Sequence, residues 1–203
     1  MKIVVAGPQS SWDELTNTNK NIHWIKVENI AGFINHKSAD AFFNLYNNAA
    51  NDYYPPGLPV LFINSVIIPL KEIQPYKNMI RINGWTGFLT RSSWEAAGTI
   101  NESIKNIIDI IGKKIISVPD EPGFISARIL AMIINEAYFA KEENISSEHD
   151  IDIAMQLGTN YPKGPFAWAN EIGKKNIYLL LNKLKASDSR YVPAPLLEKE
   201  SFV

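Results

Sequence analysis

Cysteine is absent from all 203 residues, which excludes disulfides and thiolate metal centres. Three histidines, His23, His36 and His149, are too few and too scattered to build a metal site. No apolar run approaches the roughly 18 residues of a membrane span. The run of about five apolar residues behind Lys2 is shorter than the core of a secretory signal. Excess charge is missing as well: 20 basic and 21 acidic residues leave a net charge of −1. No lysine or arginine run is interleaved with aromatics, so bulk electrostatics excludes a nucleic-acid partner. These absences predict a cytoplasmic protein with no membrane contact and no metal.

What is present is alternation. KIVVAG, IHWIKV, ADAFFNL, LPVLFINS, NMIRING and KKIISV are short apolar runs rich in Ile, Val and Phe. Between them lie helix-like segments such as SSWDELTNTN and TINESIKNIIDIIGK, and the tight connector YYPPGLP. Strands alternating with helices predict a parallel sheet with crossovers. After Asp120 the pattern turns helical. GFISARILAMIINEAYFAKEEN keeps Ile125, Ile129, Met132, Ile133 and Tyr138 near a period of 3.6, and is apolar around much of its circumference. In SSEHDIDIAMQLG, Ser146 or Ser147 can cap a helix and Gly158 can end it. KGPFAWANEIG has Pro165 at a first helical position and Gly173 at the stop. KKNIYLLLNKLKAS is a last amphipathic helix. The expected organisation is an α/β domain over 1–119 and an all-helical domain over 120–203.

The opening strand ends at Gly7, the position where a dinucleotide loop begins, but no further glycines follow. That loop needs glycines for its turn, for backbone approach to the pyrophosphate and for helix packing. Here Pro8 lacks an N–H, and Ser11 and Trp12 bring side chains. Ser11-Trp12-Asp13-Glu14 reads as a capping box, with Ser11 as N-cap and Glu14 reaching back. Asp13 and Glu14 would also place negative charge where a pyrophosphate needs donors. Glu28 stands at the spacing of a ribose-binding acid or marks a solvated strand end. Nucleotide binding by the usual route is not expected.

The second half carries a more specific pattern. Asp120 to Phe124 (DEPGF), Asp150 to Gly158 (DIDIAMQLG), Pro162 to Phe166 (PKGPF) and Pro193 to Leu197 (PAPLL) occur in that order over about 80 residues. This resembles the C-terminal domain of 3-hydroxyacyl-CoA dehydrogenases. Upstream, FINSVIIPLKEI resembles the family's Asn-Thr-Ser-Ser-Leu-Pro segment. NMIRINGWTGFLTRSSWE falls on the segment that carries its His-Phe-Phe-Asn-Pro motif. The stretch between the second strand and ADAFFNL is much shorter than in the family, so the resemblance implies a shortened Rossmann-like α/β domain followed by the family's all-helical domain.

The resemblance implies an NAD-dependent oxidation in which a histidine takes the 3-hydroxyl proton. A glutamate twelve residues on orients it, and a serine and an asparagine hydrogen-bond the substrate. Carried over, the histidine position is Asn83 and the glutamate is Glu95. The serine position is Val66, and the asparagine position is Ala127, with Arg128 kept. A carboxamide does not titrate, and Val66 and Ala127 have lost their polar groups. The expectation is a relative that has lost the dehydrogenase activity, lacks an NAD site and keeps binding of an acyl-CoA or small metabolite. An active NAD-dependent dehydrogenase with a rebuilt site and a ligand-free dimerisation protein stay open beside it. The resemblance also implies a homodimer through the helical domain, and the apolar helix from Phe124 to about Lys141 agrees. Trp85 and Trp94 are expected in the core, Lys163 and His149 in solvent, and Tyr53-Tyr54-Pro55-Pro56 in a rigid turn.

Overall fold

The computed structural model describes residues 1–17, 21–47, 52–73 and 76–203. The chain divides into two compact units, Met1–Phe124 and Ile125–Val203. The division falls beyond the expected boundary at 119 because the DEPGF turn is tied to the first unit, as described below. No helix among the described residues is long and apolar enough to cross a membrane.

The first unit is a seven-stranded sheet. Its strands are β1 (Lys2–Ala6), β2 (His23–Val27), β3 (Ala41–Asn44), β4 (Leu61–Asn64), β5 (Met79–Ile82), β6 (Ser93–Ala97) and β7 (Lys114–Ser117), in the spatial order β2-β1-β3-β4-β5-β6-β7. The first five are parallel, β6 runs antiparallel to β5, and β7 is parallel to β6. This is the expected Rossmann-like arrangement, with one further strand, β6, that the apolar runs did not announce.

Alternation along the strands sends side chains to two faces. Ile3, Val5, Phe43, Phe62, Ile80, Ile82 and Trp94 form one core. Two helices close it, α1 (Gln9–Thr16) and α2 (Glu102–Ile111). Helix α2 forms because Ile104, Ile107, Ile108 and Ile111 recur along one face. Asn101 caps its first turn by accepting from the Ile104 amide at 3.0 Å, and Gly112 ends it at φ 83°. Phe43 and Phe62 stack at 4.5 Å inside this core. The opposite face carries Val4, Ala6, Phe42, Leu61, Ile63 and Met79. Among the described residues no α-helix of the unit covers it; a 3-10 turn with Phe33 and the segment bearing Tyr54 and Leu58 do so instead. The expected aromatic turn is thus half core: Tyr54 is buried and Tyr53 exposed.

The capping box is not formed. Helix α1 starts at Gln9 with Pro8 at its N-cap, no side chain caps it, and no acid lies in its first turn. Ser11 is buried inside the helix. Glu14 accepts instead from the Gly87 amide at 2.8 Å, so a tertiary partner replaces the local one. The last residues of the expected segment SSWDELTNTN lie outside the described residues.

The second unit is all helical: α3 (Ser126–Glu142), α4 (Glu148–Thr159), α5 (Pro165–Ile172), α6 (Lys174–Lys185) and α7 (Pro195–Glu200). Helix α3 begins two residues after Phe124 because Gly123 and Phe124 both take positive φ, 81° and 51°. Ser147 caps α4, accepting from the Asp150 amide at 3.2 Å. Gly158 does not stop that helix; Asn160 takes the left-handed C-cap position at φ 55°. Pro165 and Gly173 bracket α5 as expected.

The motif residues of this unit do structural work. Asp152 on α4 accepts from the amides of Phe166 (2.8 Å) and Ala167 (3.0 Å), which are unpaired donors at the start of α5. Glu200 on α7 joins Lys141 of α3 (2.9 Å) and Lys174 of α6 (2.5 Å), and Tyr138 donates to it at 3.3 Å. Burial works to raise the Glu200 pKa, but the hydrogen bonds from Lys174 and Lys141 outweigh it and hold the carboxyl below its ordinary 4.5. A depressed carboxyl stabilises the fold above its unfolded pKa and loses that effect as pH falls through the folded value. Glu200→Gln is therefore expected to cost about 1–3 kcal/mol at pH 7. In urea titrations the gap to the wild-type chain should close as the pH drops from 5 towards 3. A gap unchanged with pH would sink this account.

Candidate functional site at the sheet edge

The four positions implied by the resemblance do not all fall in one unit. Val66, Asn83 and Glu95 belong to the first, and Ala127, fully buried in the first turn of α3, belongs to the second. Val66 follows β4 and is buried, and its carbonyl accepts from the Gly123 amide at 2.8 Å. Arg128 lies with its guanidinium 5.9 Å from the Tyr191 ring.

Asn83 leaves β5 directly opposite Glu95. The register pairs Arg81 with Ala97 and Ile82 with Ala96. One step further, the Asn83 amide donates to the Glu95 carbonyl at 3.4 Å. Alternation then puts both side chains on the face without α-helices, beside one another as cross-strand neighbours. Asn83 is buried, and its Oδ1 accepts from the Trp85 amide at 3.3 Å. Arg91 stacks its guanidinium 3.9 Å from the Phe88 ring. Burial lowers the Arg91 pKa, and the charge of Glu95 opposes that shift.

The loop that carries Asn83 is pinned from three sides. Glu14 holds the Gly87 amide, Trp94 donates Nε1–H to the Leu89 carbonyl at 3.1 Å, and Lys113 donates to the carbonyls of Thr90 and Arg91. Trp85 and Trp94 are both buried, as expected of core residues.

Below Asn83 on the same face lies Arg81, completely buried. Its Nη1 meets Asp120 Oδ1 at 2.6 Å, its Nη2 donates to the Glu121 carbonyl at 2.6 Å, and its guanidinium lies 4.2 Å from the Phe124 ring. The DEPGF turn is thereby fastened to β5. Sequence reading passed over Arg81, although a basic residue inside the apolar run MIRI was the available signal.

The end of β1 is crowded. A Cβ on Gly7 would lie 2.8 Å from Leu45 Cβ. Tyr46, two residues past β3, donates its hydroxyl to the Glu28 carbonyl just past β2 at 2.7 Å. Because β1 lies between β2 and β3, this bond passes across the end of β1. The carbonyl of Glu28 is thus used structurally, and the residue is exposed.

Asn44 and Asn64 close the neighbouring strand ends. Asn44 donates to Asp52 (2.6 Å) and to the Tyr54 hydroxyl (2.9 Å), and Asn64 accepts from the Gly84 amide at 3.1 Å. In the helical unit, Lys163 pairs with Glu171 at 2.6 Å and lies 5.1 Å from the Trp168 ring, and His149 is exposed.

Residues 123–200 match the family model for the C-terminal domain of 3-hydroxyacyl-CoA dehydrogenase. That segment, less than half of the chain, is what carries the similarity to the 3-hydroxyacyl-CoA dehydrogenase family. The 3-hydroxyadipyl-CoA dehydrogenase of Escherichia coli K12 is 43% identical over 94 residues, 45% of this chain and 20% of that relative. A probable 3-hydroxybutyryl-CoA dehydrogenase of Bacillus subtilis is 41% identical over 91 residues, 44% of this chain and 32% of that one. The matches thus span a third or less of these relatives. The fold extends further: the crystal structure of (S)-3-hydroxybutyryl-CoA dehydrogenase from Ralstonia eutropha matches with a TM-score of 0.71 at 18% identity. It covers 98% of this chain and 92% of that one. The likeness of fold therefore runs through both units.

Proposed function

We propose that this chain is a 3-hydroxyacyl-CoA dehydrogenase relative that no longer oxidises its substrate with NAD and retains binding of an acyl-CoA thioester. The reading rests on Asn83. The edge position where the family's general base stands carries a carboxamide whose oxygen already accepts from the Trp85 amide. A carboxamide neither takes nor gives a proton at neutral pH, and a missing general base alone costs roughly 10²–10⁴-fold in rate. Glu95 keeps its place without an imidazole to orient, and Val66 and Ala127 offer no polar atoms to a hydroxyl or carbonyl.

The residues at the end of β1 do not fit a dinucleotide. Gly7 is closed over by Leu45, Pro8 has no N–H to offer, and the Tyr46–Glu28 bond crosses the place where a pyrophosphate lies in such folds. For thioester binding, support comes from the match to a named acyl-CoA enzyme, 43% identical over 94 residues. The test is direct. Acetoacetyl-CoA is expected to bind in a calorimetric titration, NADH is not, and the two together with the protein should leave the NADH absorbance unchanged. NADH oxidation that scales with protein concentration would instead establish the alternative that the named relatives favour, an active dehydrogenase.

We propose, further, that the helical unit pairs with a second copy. Helix α4 has no buried residue, yet it carries Ile153 and Leu157, the latter 83% exposed. Helix α3 adds exposed Ile125 and Ile129. Apolar side chains in such number favour a self-complementary contact. Light scattering at micromolar concentration should give twice the chain mass, and Leu157→Asp should return the single mass. A single mass for the unmodified chain would refute the pairing.

A further inference from the structure

A pocket of about 620 Å³ opens at the start of β5, in the size range of small-molecule sites. It lies at the other end of the strand from Asn83, about 13 Å away at the rise of an extended chain. Its floor is apolar and is made by Leu70, Ile73, Tyr76 and Met79. Ile73 and Met79 are buried members of the core on the helix-free face. Gly98 forms a wall: at φ 130°, a Cβ there would stand 2.8 Å from the Met79 carbonyl oxygen, so only glycine lets β6 leave this close to β5.

The charges at the rim are not equivalent. Asp120 is saturated, accepting from the amides of Leu70 (3.0 Å) and Lys71 (3.2 Å) and from Arg81 (2.6 Å). Lys71 meets Glu121 at 3.1 Å, but both side chains are more than half exposed, and such pairs are weak. Lys77 makes no ion pair among the described residues. The pocket therefore joins an apolar floor to a lysine that pairs with no acid among the described residues.

We infer that this pocket binds a small amphipathic carboxylate, with its apolar tail on Leu70, Ile73, Tyr76 and Met79 and its carboxylate at Lys77. The inference does not depend on thioester binding at the Asn83 edge. Octanoate is a suitable probe, with octanol as its uncharged counterpart. In the full chain labelled with methyl-¹³C methionine, four methionines report, and only Met79 lines the pocket. Octanoate should shift the Met79 signal saturably and bind more tightly than octanol. Lys77→Gln, at an exposed position that the fold does not need, should weaken octanoate about threefold or more. A shift that fails to saturate, that centres on Met132 or Met155, or that Lys77→Gln leaves at full affinity would overturn the assignment.

Discussion

Replacing Asp120 with alanine is expected to lower the unfolding free energy of residues 1–124 by about 3–5 kcal/mol. The reason is the state in which it leaves Arg81. That guanidinium has no exposed surface, whereas the Asp120 side chain is 27% exposed. Burial brings the Arg81 pKa down to about 10, with Asp120 opposing the shift, so the group stays charged at neutral pH. Its Nε is already buried without an acceptor among the described residues. Removal of Asp120 strands a buried charge. Removal of the arginine is milder, because Asp120 keeps two amide donors and access to water. Arg81→Met should therefore cost clearly less than Asp120→Ala. Urea unfolding followed by tryptophan fluorescence can read this difference, since four of the five tryptophans lie in the first unit. Equal losses for the two variants would mean that the pair's desolvation asymmetry has been misjudged.

Gly164→Ala should be as severe in the second unit, at about 3 kcal/mol or more. A Cβ at that position would lie 2.2–2.3 Å from the Asp152 side chain. No relaxation of a neighbour by a few tenths of an ångström relieves such an overlap. Asp152 must swing away and release the Phe166 and Ala167 amides, two charge-assisted bonds at a helix N-terminus. Asp152→Ala loses the same bonds without the overlap and should cost less. Hydrogen exchange of the α5 amides is the measurement. Unchanged protection in Gly164→Ala would show that α5 does not need this cap.

Much of the architecture was readable from the residues. Six of the seven strands announce themselves as apolar runs, and in β1, β3, β4 and β5 the reason is burial on both faces. Strand β6 did not, since SWEAA holds a charged residue and two alanines and no Ile, Val or Phe. The capping box failed because the Gly87 amide, 73 positions away, outcompetes the local N-cap for Glu14. Gly158 failed as a stop because the next two residues supply a helical threonine and a left-handed asparagine. At the candidate site, the twelve-residue interval from Asn83 to Glu95 translates into a cross-strand pair. The closure of β1 by Leu45 and Tyr46 was hidden, because it depends on which strands become neighbours.

The contact between Asp152 and Gly164 bears on how kinship of this kind is interpreted. The aspartate needs a partner with no side chain, and the glycine is tolerable only opposite a short acceptor. In an alignment the DIDIAM and PKGPF signatures are thus one constraint written in two places, and a substitution at either position frees the other to drift. What that constraint records is the stapling of α4 to α5. A chain matched through it has been matched on helix joinery, a trait separate from any group that does chemistry.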